Sequence, residues 1–446
     1  MATLPRMKPE KFYDLVIEVA IIRPGPIQGN LMHPYLQRRA KKEEVIYYHP
    51  DLIPVLERTL GVPLFQEQML EMAMKMTDFT ASEAEELRRA LSFHRSQDKM
   101  KKVEKKLRDA LARKGYGPKV VDEVSGAVTS FALYGFPESH AISFAHLAYA
   151  TAYLKAHRAP EFYASLLNNQ PMGFYSSATI VKDGKRHGQP FRPVCARKSE
   201  WLCTIEKDNS IRLGFCVVQG LNHDRASKML EERAKQNFTS IGDFKLRTRL
   251  NKEELRTLAE IGALNNLAKH RRDALWEVER DIPENNLFEL GTWNEGSKEK
   301  GDSPLLPMNS AERLRADYDG THLTTGPHPM ALLREHLKPL NLWRACDLPK
   351  AKQGEIIRIA GNVICRQRPG TAKGFVFITL EDETGMSNAI VRPKLFEELR
   401  LLITQESFLL IEGHLQNTDE VILIQAQRIE RLQNENLAGS SSYDFH

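Results

Sequence analysis

Apolar positions recur at helical spacing in the first third of the chain and alternate in its last fifth, and this change of period divides it. Leu87 and Leu91, then Val103, Leu107 and Leu111, fall four apart, which predicts two helices that each keep one apolar face. The same period predicts helices over residues 12–22, 53–59, 67–76, 120–132 and 140–156. The last of these carries Phe144, Leu147, Ala148, Ala152, Tyr153 and Ala156 and stops before Arg158-Ala159-Pro160. From about Arg186 to Val278 the texture shortens: an apolar stretch, a glycine, an apolar residue and a helix occur around Gly220 and again around Gly262. Two such units read as tandem helix-hairpin-helix elements. Residues 281–341 are polar and irregular, with ENNLFELGTWNEGSKEKGDSPLLP as a linker. Beyond Gly354 the sequence alternates in five short runs, with a helix at Pro393 to Ile403 after the third, which is the order of an OB-fold barrel.

The expected fold is therefore multidomain α+β. Residues 1–170 form a mainly helical region, 185–278 the tandem hairpins, 279–345 a linker, 350–432 the barrel and 433–446 a mobile tail. A length of 446 residues fits about three domains. Hydrophobic content of 41% and charged content of 27% are those of a soluble protein, and a net charge of +5 means that any nucleic acid must be met by local clusters. Five scattered cysteines without CxxC spacing argue for reduced thiols and against a zinc site. No apolar run reaches the ~18 residues of a membrane span and the first ten residues have no apolar signal core, so cytoplasm is the expected location.

Charge then picks out three places. From Glu86 to Lys119 there are twelve Lys/Arg against four Asp/Glu, including the pair Arg88-Arg89 and then Arg95, Lys99, Lys101 and Lys102. Such a run is either a solvated face or a grip on a polyanion, for which forked guanidiniums beside ammonium groups are suited. The hairpin glycines Gly220 and Gly262 either leave backbone N–H groups free to hold phosphate oxygens or cap a helix. In the barrel, Phe375 and Phe377 alternate against Val376, Ile378 and Leu380, with Arg366, Arg368 and Lys373 in the preceding loop. Aromatics beside loop cations hold single strands by stacking and charge, unless Phe375 caps the barrel and the loop is only solvated.

Four separated motifs of the N-terminal region, IEVAIIRPGPIQG, GVPLFQEQML, EELRRA and YGFPESHAISFAHLAYATAYLKAH, resemble in content and order the fingers of bacterial C-family DNA polymerases of the Pol III alpha type. HPYLQRRAKKEEV, LLNNQPMGFYSS, RQRPGTAKGFVFITLEDETG and the closing DFH are similar to the error-prone, damage-tolerant branch, and the resemblance covers essentially the whole chain. It implies a DNA-directed DNA polymerase acting in replication and damage-induced translesion repair synthesis. Its substrates would be deoxynucleoside triphosphates, a primer-template and single-stranded DNA. Arg23, Gln66, Arg88, Arg89, Lys99, Ser139 and His140 are then expected to face the nucleotide and the primer-template junction. The family's metal ions, Mg2+, are held by palm carboxylates upstream of the RPGP motif. Nothing before Arg23 matches them, although Asp14 and Glu18 are spaced as two ligands, so no catalytic or metal-binding residue is expected in this chain. On this reading the chain is the C-terminal part of a longer polymerase, lacks the histidine-rich phosphoesterase module and does not extend a primer alone. A sliding clamp or a mutasome accessory protein is the implied protein partner, and Glu284 to Phe288 loosely matches a clamp peptide without its leading Gln. The alternative is a non-catalytic nucleic-acid-binding accessory module, which shares the basic clusters, hairpins and barrel.

Overall fold

Helical spacing in the first third is realised as helices: α1 (Leu4–Met7), α2 (Phe12–Ile21), α3 (Pro34–Arg39), α4 (Ile53–Leu56), α5 (Gln66–Met76), α6 (Ala81–Ser92), α7 (Gln97–Arg113), α8 (Pro118–Phe131) and α9 (Glu138–His157). The computed structural model describes residues 3–22, 34–92, 97–131, 136–173, 175–280, 303–418, 421–432 and 442–445. They cluster into two units, Met1–Ala152 with Gly370–Lys373 and Asn417–Val421, and Tyr153–Pro369 with Gly374–Gln416 and Ile422–His446.

In the first unit the predicted apolar stripe of α7 is core, since Leu107 and Leu111 pack with Met69, Met72 and Met76 of α5 and Val124 and Val128 of α8. A second cluster joins Val16 and Ile17 of α2 to Phe65, Ala141 and Ala145. Side chains cap these helices. Asp14 accepts the N–H groups of Glu10 (2.8 Å) and Lys11 (3.0 Å) at the start of α2. The Gln68 carboxamide oxygen accepts those of Leu64 (2.8 Å) and Phe65 (3.1 Å) at the start of α5.

The second unit begins with α10 (Ala159–Asn168) and α11 (Ser177–Arg186), then three two-residue strands, β1 (Phe191–Arg192), β2 (Thr204–Ile205) and β3 (Ile211–Arg212), in the order β1-β3-β2. Helices α12 (His223–Lys235), α13 (Ile241–Thr248), α14 (Lys252–Glu260) and α15 (Arg271–Glu279) follow, and one core runs through α10, α11 and all four. The expected linker 279–345 is corrected from residue 310 onward, where α16 (Ser310–Thr321) and α17 (Pro329–Leu337) are ordered helices. The signal was a reciprocal capping box, Asn309 with Glu312, lying just past a polar stretch. Helix α16 lies so close to α14 that a Cβ on Gly320 would come within 2.3 Å of Ile261 Cγ2.

The barrel consists of β4 (Ile356–Gln367), β5 (Val376–Glu381), β6 (Met386–Val391), α18 (Pro393–Glu398), α19 (Arg400–Gln405), β7 (Phe408–Thr418) and β8 (Val421–Arg431). Strand order β4-β5-β6-β8-β7 closes back on β4, with β6 and β8 parallel, which is OB-fold topology. Val376, Ile378 and Leu380 fill its interior. The expectation of a mobile tail is corrected at Tyr443–Phe445, which forms β9 and pairs in parallel with β4, Cys365 to Tyr443 through Gln367 to Phe445.

Candidate nucleic-acid interface

At the start of α9 a part-buried polar cluster fixes the helix end. Glu67 accepts the Glu138 N–H at 2.8 Å, so its carboxylate serves the positive end of α9 and not only that of its own helix. The Glu138 carboxylate in turn accepts from Tyr13 Oη (2.6 Å) and Arg58 (3.1 Å), while the Arg58 guanidinium stacks 4.5 Å over the Tyr13 ring. Burial, and then the Glu138 carboxylate, push the Tyr13 phenol well above its usual value, so it remains a neutral donor. Ser139 and His140 emerge exposed from this base. Ser139 lies inside the helix and is not its N-cap, and His140 is not a core histidine: its ring stands 5.2 Å from Phe136 and 4.6 Å from Phe144. Farther along α9, Phe144, Leu147, Tyr149, Tyr153 and Leu154 are exposed. Gln66 opens α5 and its N–H bonds the Phe136 carbonyl at 3.0 Å. Arg23 lies outside the described residues. The backbone places Arg88 and Arg89 late in α6 and Lys99 early in α7, and their side chains lie outside the described ones.

The second half of the basic run is partly a solvated, ion-paired face. Lys106 pairs with Glu83 (3.1 Å), Arg108 with Glu104 (3.1 Å) and Asp122 (2.5 Å), and Lys114 with Asp78 (2.5 Å). Lys102 and Lys105 are exposed and form no ion pair among the described residues.

The two carboxylates spaced as metal ligands do not form a metal site. Both Asp14 oxygens are taken by the Arg39 fork (2.9 and 2.8 Å). Burial pushes the Asp14 carboxyl up, but Arg39 and the two backbone N–H groups outweigh it and hold it below its usual value. Glu18 is 4% exposed, and burial raises its carboxyl, favouring the neutral form. Magnesium does not fit this pair.

The hairpins differ from one another. Gly262 adopts φ +81° and its N–H bonds the Ala259 carbonyl (3.1 Å), while Ala263 N–H reaches back to Leu258 (2.9 Å). This is a Schellman end of α14, so the expectation of free donors at Gly262 is corrected to a helix cap. Arg271 seals the turn through the Glu260 carbonyl (3.1 Å) and an ion pair with Asp317 (2.7 Å). Gly220, at φ +73°, is exposed and is entered from β3 and a single 3-10 turn instead of a regular helix. The N–H groups of Gly220 and Leu221 meet no acceptor among the described residues, just ahead of α12, whose Asn222 cap accepts from Asp224 and Arg225. Buried Glu254 ties the two hairpins together, accepting from Asn222 N–H (3.0 Å), Asn251 N–H (2.9 Å) and Arg225 (2.8 Å).

On the barrel, Phe377 lies on the outward face of β5, half-buried, paired across to Gln367 and Ile390. Phe375 is half-buried just before the strand, and Lys373 is exposed in the loop at φ +49°. Arg368 stacks 4.6 Å over Phe396 and keeps 42% of its side chain exposed. Arg366 is corrected to a structural role: its guanidinium donates to the carbonyls of Ile403 (2.6 Å) and Glu406 (2.6 Å) and to Ser442 (2.5 Å), leaving it 11% exposed. No sequence signal distinguished it from Arg368, because its partners lie 37 or more residues away.

Three family models match the chain in series: the bacterial DNA polymerase III alpha subunit finger domain over residues 1–115, a helix-hairpin-helix motif over 188–274 and an OB-fold nucleic acid binding domain over 353–432. Error-prone DNA polymerase 2 of Agrobacterium fabrum is 42% identical over 96% of this chain and 41% of its own length. The error-prone DNA polymerases of Pseudomonas aeruginosa (42% identical, 100% of this chain, 43% of the relative) and Pseudomonas savastanoi (43%, 96% and 42%) match in the same way. The chain thus spans about two fifths of the length of the curated relatives it matches. An asparaginyl-tRNA synthetase structure from Pyrococcus horikoshii aligns with 18% of this chain and 20% of its own, at 20% identity and a TM-score of 0.16.

Proposed function

We infer that the chain is the fingers-to-barrel portion of a Pol III alpha-like DNA polymerase of the error-prone branch, and that it holds DNA and the incoming nucleotide while the polymerase copies damaged template. The observation that carries this reading is the order fingers, hairpins, OB barrel, matched end to end at 40–43% identity by error-prone polymerases. The geometry supports a division of labour. The base of Tyr13, Arg58, Glu67 and Glu138 presents Ser139 and His140, and helices α6 and α7 of the same unit carry Arg88, Arg89 and Lys99. The Gly220 turn offers free N–H groups to a duplex phosphate, and Phe377 with Arg368 offers stacking and charge to a single strand. Magnesium would be held elsewhere in such a polymerase, since Asp14 is committed to Arg39 and burial favours the neutral form of Glu18.

In this reading the cellular role is translesion synthesis during replication and damage repair, in the cytoplasm, with a sliding clamp or a mutasome accessory protein as partner. No described helix is long and apolar enough to cross a membrane. The clamp-like stretch Glu284 to Phe288 lies outside the described residues. The test is primer extension past an abasic site by a polymerase in which this chain replaces the matching two fifths of the Pseudomonas aeruginosa enzyme. Bypass synthesis supports the assignment, whereas a chimaera that folds and binds DNA without any extension favours the accessory-module alternative.

A further inference from the structure

The run Glu381-Asp382-Glu383 lies at the turn between β5 and β6. In the fold it is turned inward: Glu381 and Asp382 are 3% and 4% exposed. Glu381 accepts from Lys182 Nζ (2.7 Å) and Arg186 (2.5 Å), both on α11, and His328 Nε2 stands 3.5 Å away at the start of α17. Asp382 accepts the Ala345 N–H (2.8 Å), besides the turn's own Thr384 and Gly385 N–H groups (2.7 and 2.9 Å). Arg334 of α17 forks onto Glu383 at 2.7 and 2.8 Å. Lys182 and Arg186 do not belong to the barrel, whereas α17 packs on it through Met330 and Leu337. Ala178, Ile180 and Val181 root α11 in the core that holds the hairpin helices, and Lys185 on the same helix donates to the carbonyls of Thr325 (3.1 Å) and Gly326 (2.6 Å).

We propose that this acidic hairpin is a latch that locks the OB barrel onto the hairpin region, so that both bind one nucleic acid as a single rigid body. A buried carboxylate with two cations from one helix is costly to separate, because parting them strands a charge in a dry site. The lock therefore opposes independent swinging of the two modules. Its consequence for binding is arithmetic: a duplex held by the hairpins places the adjoining single strand at a high effective concentration over the barrel, with no linker freedom to dilute it. Glu381, Lys182 and Arg186 are positioning residues in this scheme and touch no DNA. The proposal rests on the reading that both modules bind nucleic acid, but the lock itself does not.

Two measurements on the full chain separate these points. Hydrogen exchange without DNA follows the β5–β6 turn and α11; Glu381→Gln, and separately Lys182→Met with Arg186→Met, should speed exchange at both segments together. Fluorescence anisotropy then compares a duplex, a single strand and a junction carrying both. The wild type should bind the junction at least tenfold tighter than either half, and both variants should lose about tenfold of that gain while each half keeps its affinity within twofold. Unchanged exchange in both variants, or a junction gain that survives them, overturns the latch. If the wild type binds neither half, the nucleic-acid reading falls and the exchange arm still decides the lock. The double substitution on α11 leaves every barrel strand intact, so a misfolded Glu381→Gln barrel does not obscure the result.

Discussion

Phe377 stands on the outward face of β5 between Gln367 and Ile390, partly exposed, while its neighbours Val376 and Ile378 are buried in the barrel. A base stacked on it contributes roughly 1–3 kcal/mol, so Phe377→Ala should weaken single-strand binding by about fivefold or more and leave duplex binding nearly unchanged. Anisotropy titrations with the two ligands check this, and equal losses on both would return the ring to a packing role. Arg366 predicts the opposite pattern. Its guanidinium holds α19, the chain that follows it and the returning C-terminal strand, so Arg366→Ala should lower barrel stability by about 1.5–3 kcal/mol for the first charge-assisted bond lost. Urea unfolding should shift while the ratio of single-strand to duplex affinity stays constant. The alternation of Phe377 against Val376 and Ile378 was legible in sequence because it depends only on the two-residue period of a strand. The commitment of Arg366 was not, because it depends on which distant carbonyls the fold brings beneath it.

At the level of elements, the two glycine turns separate a cap from a candidate phosphate site. Gly262→Ala places a Cβ at positive φ and within 2.7 Å of Arg271 Nε, so it should cost about 1 kcal/mol or more in stability. Duplex affinity per folded molecule should not change, since that N–H is already bonded to Ala259. Gly220 has open space around it and an unbonded N–H among the described residues. Gly220→Pro, whose ring cannot adopt the φ of +73°, dismantles the turn along with its donor and should weaken duplex binding by the same factor on every sequence, because backbone contacts to phosphate carry no base information. A sequence-dependent loss, measured on a panel of duplexes, would contradict this. Helices α2, α5 and α7 to α9 were readable within a few residues from apolar spacing and terminal prolines or glycines. Helix α16 escaped because its apolar face is short and partly glycine, and its packing on Ile261 appears only once α14 is in place. Strand β9 escaped because three residues after a serine run carry no period, and only the free edge of β4 defines it.

In the molecule as a whole, the carboxylate that joins modules also sets an acid limit. Burial would raise Glu381, but His328, Lys182 and Arg186 outweigh it and hold it at about 2, below the usual 4.5. The cations Lys182 and Arg186 on α11, His328 before α17 and the Tyr318 phenol on α16 are the groups that face it. A depressed carboxyl stabilises the fold above its unfolded value and loses that contribution as pH falls, so about 3 kcal/mol should persist down to pH ~4.5 and disappear progressively towards pH ~2. Thermal melts of Glu381→Gln should lack this slope and converge with the wild type at the acid end. On the proposed function, DNA is held through phosphate at the Gly220 hairpin and through a stacked single strand at the barrel. The most direct test is the affinity for a primer-template measured from 50 to 200 mM salt. With about four or more phosphates neutralised, log affinity should fall against log salt with a slope of about −3.6 or steeper, roughly a hundredfold loss over that range. A slope shallower than about −1, or no measurable binding at 50 mM, would contradict it.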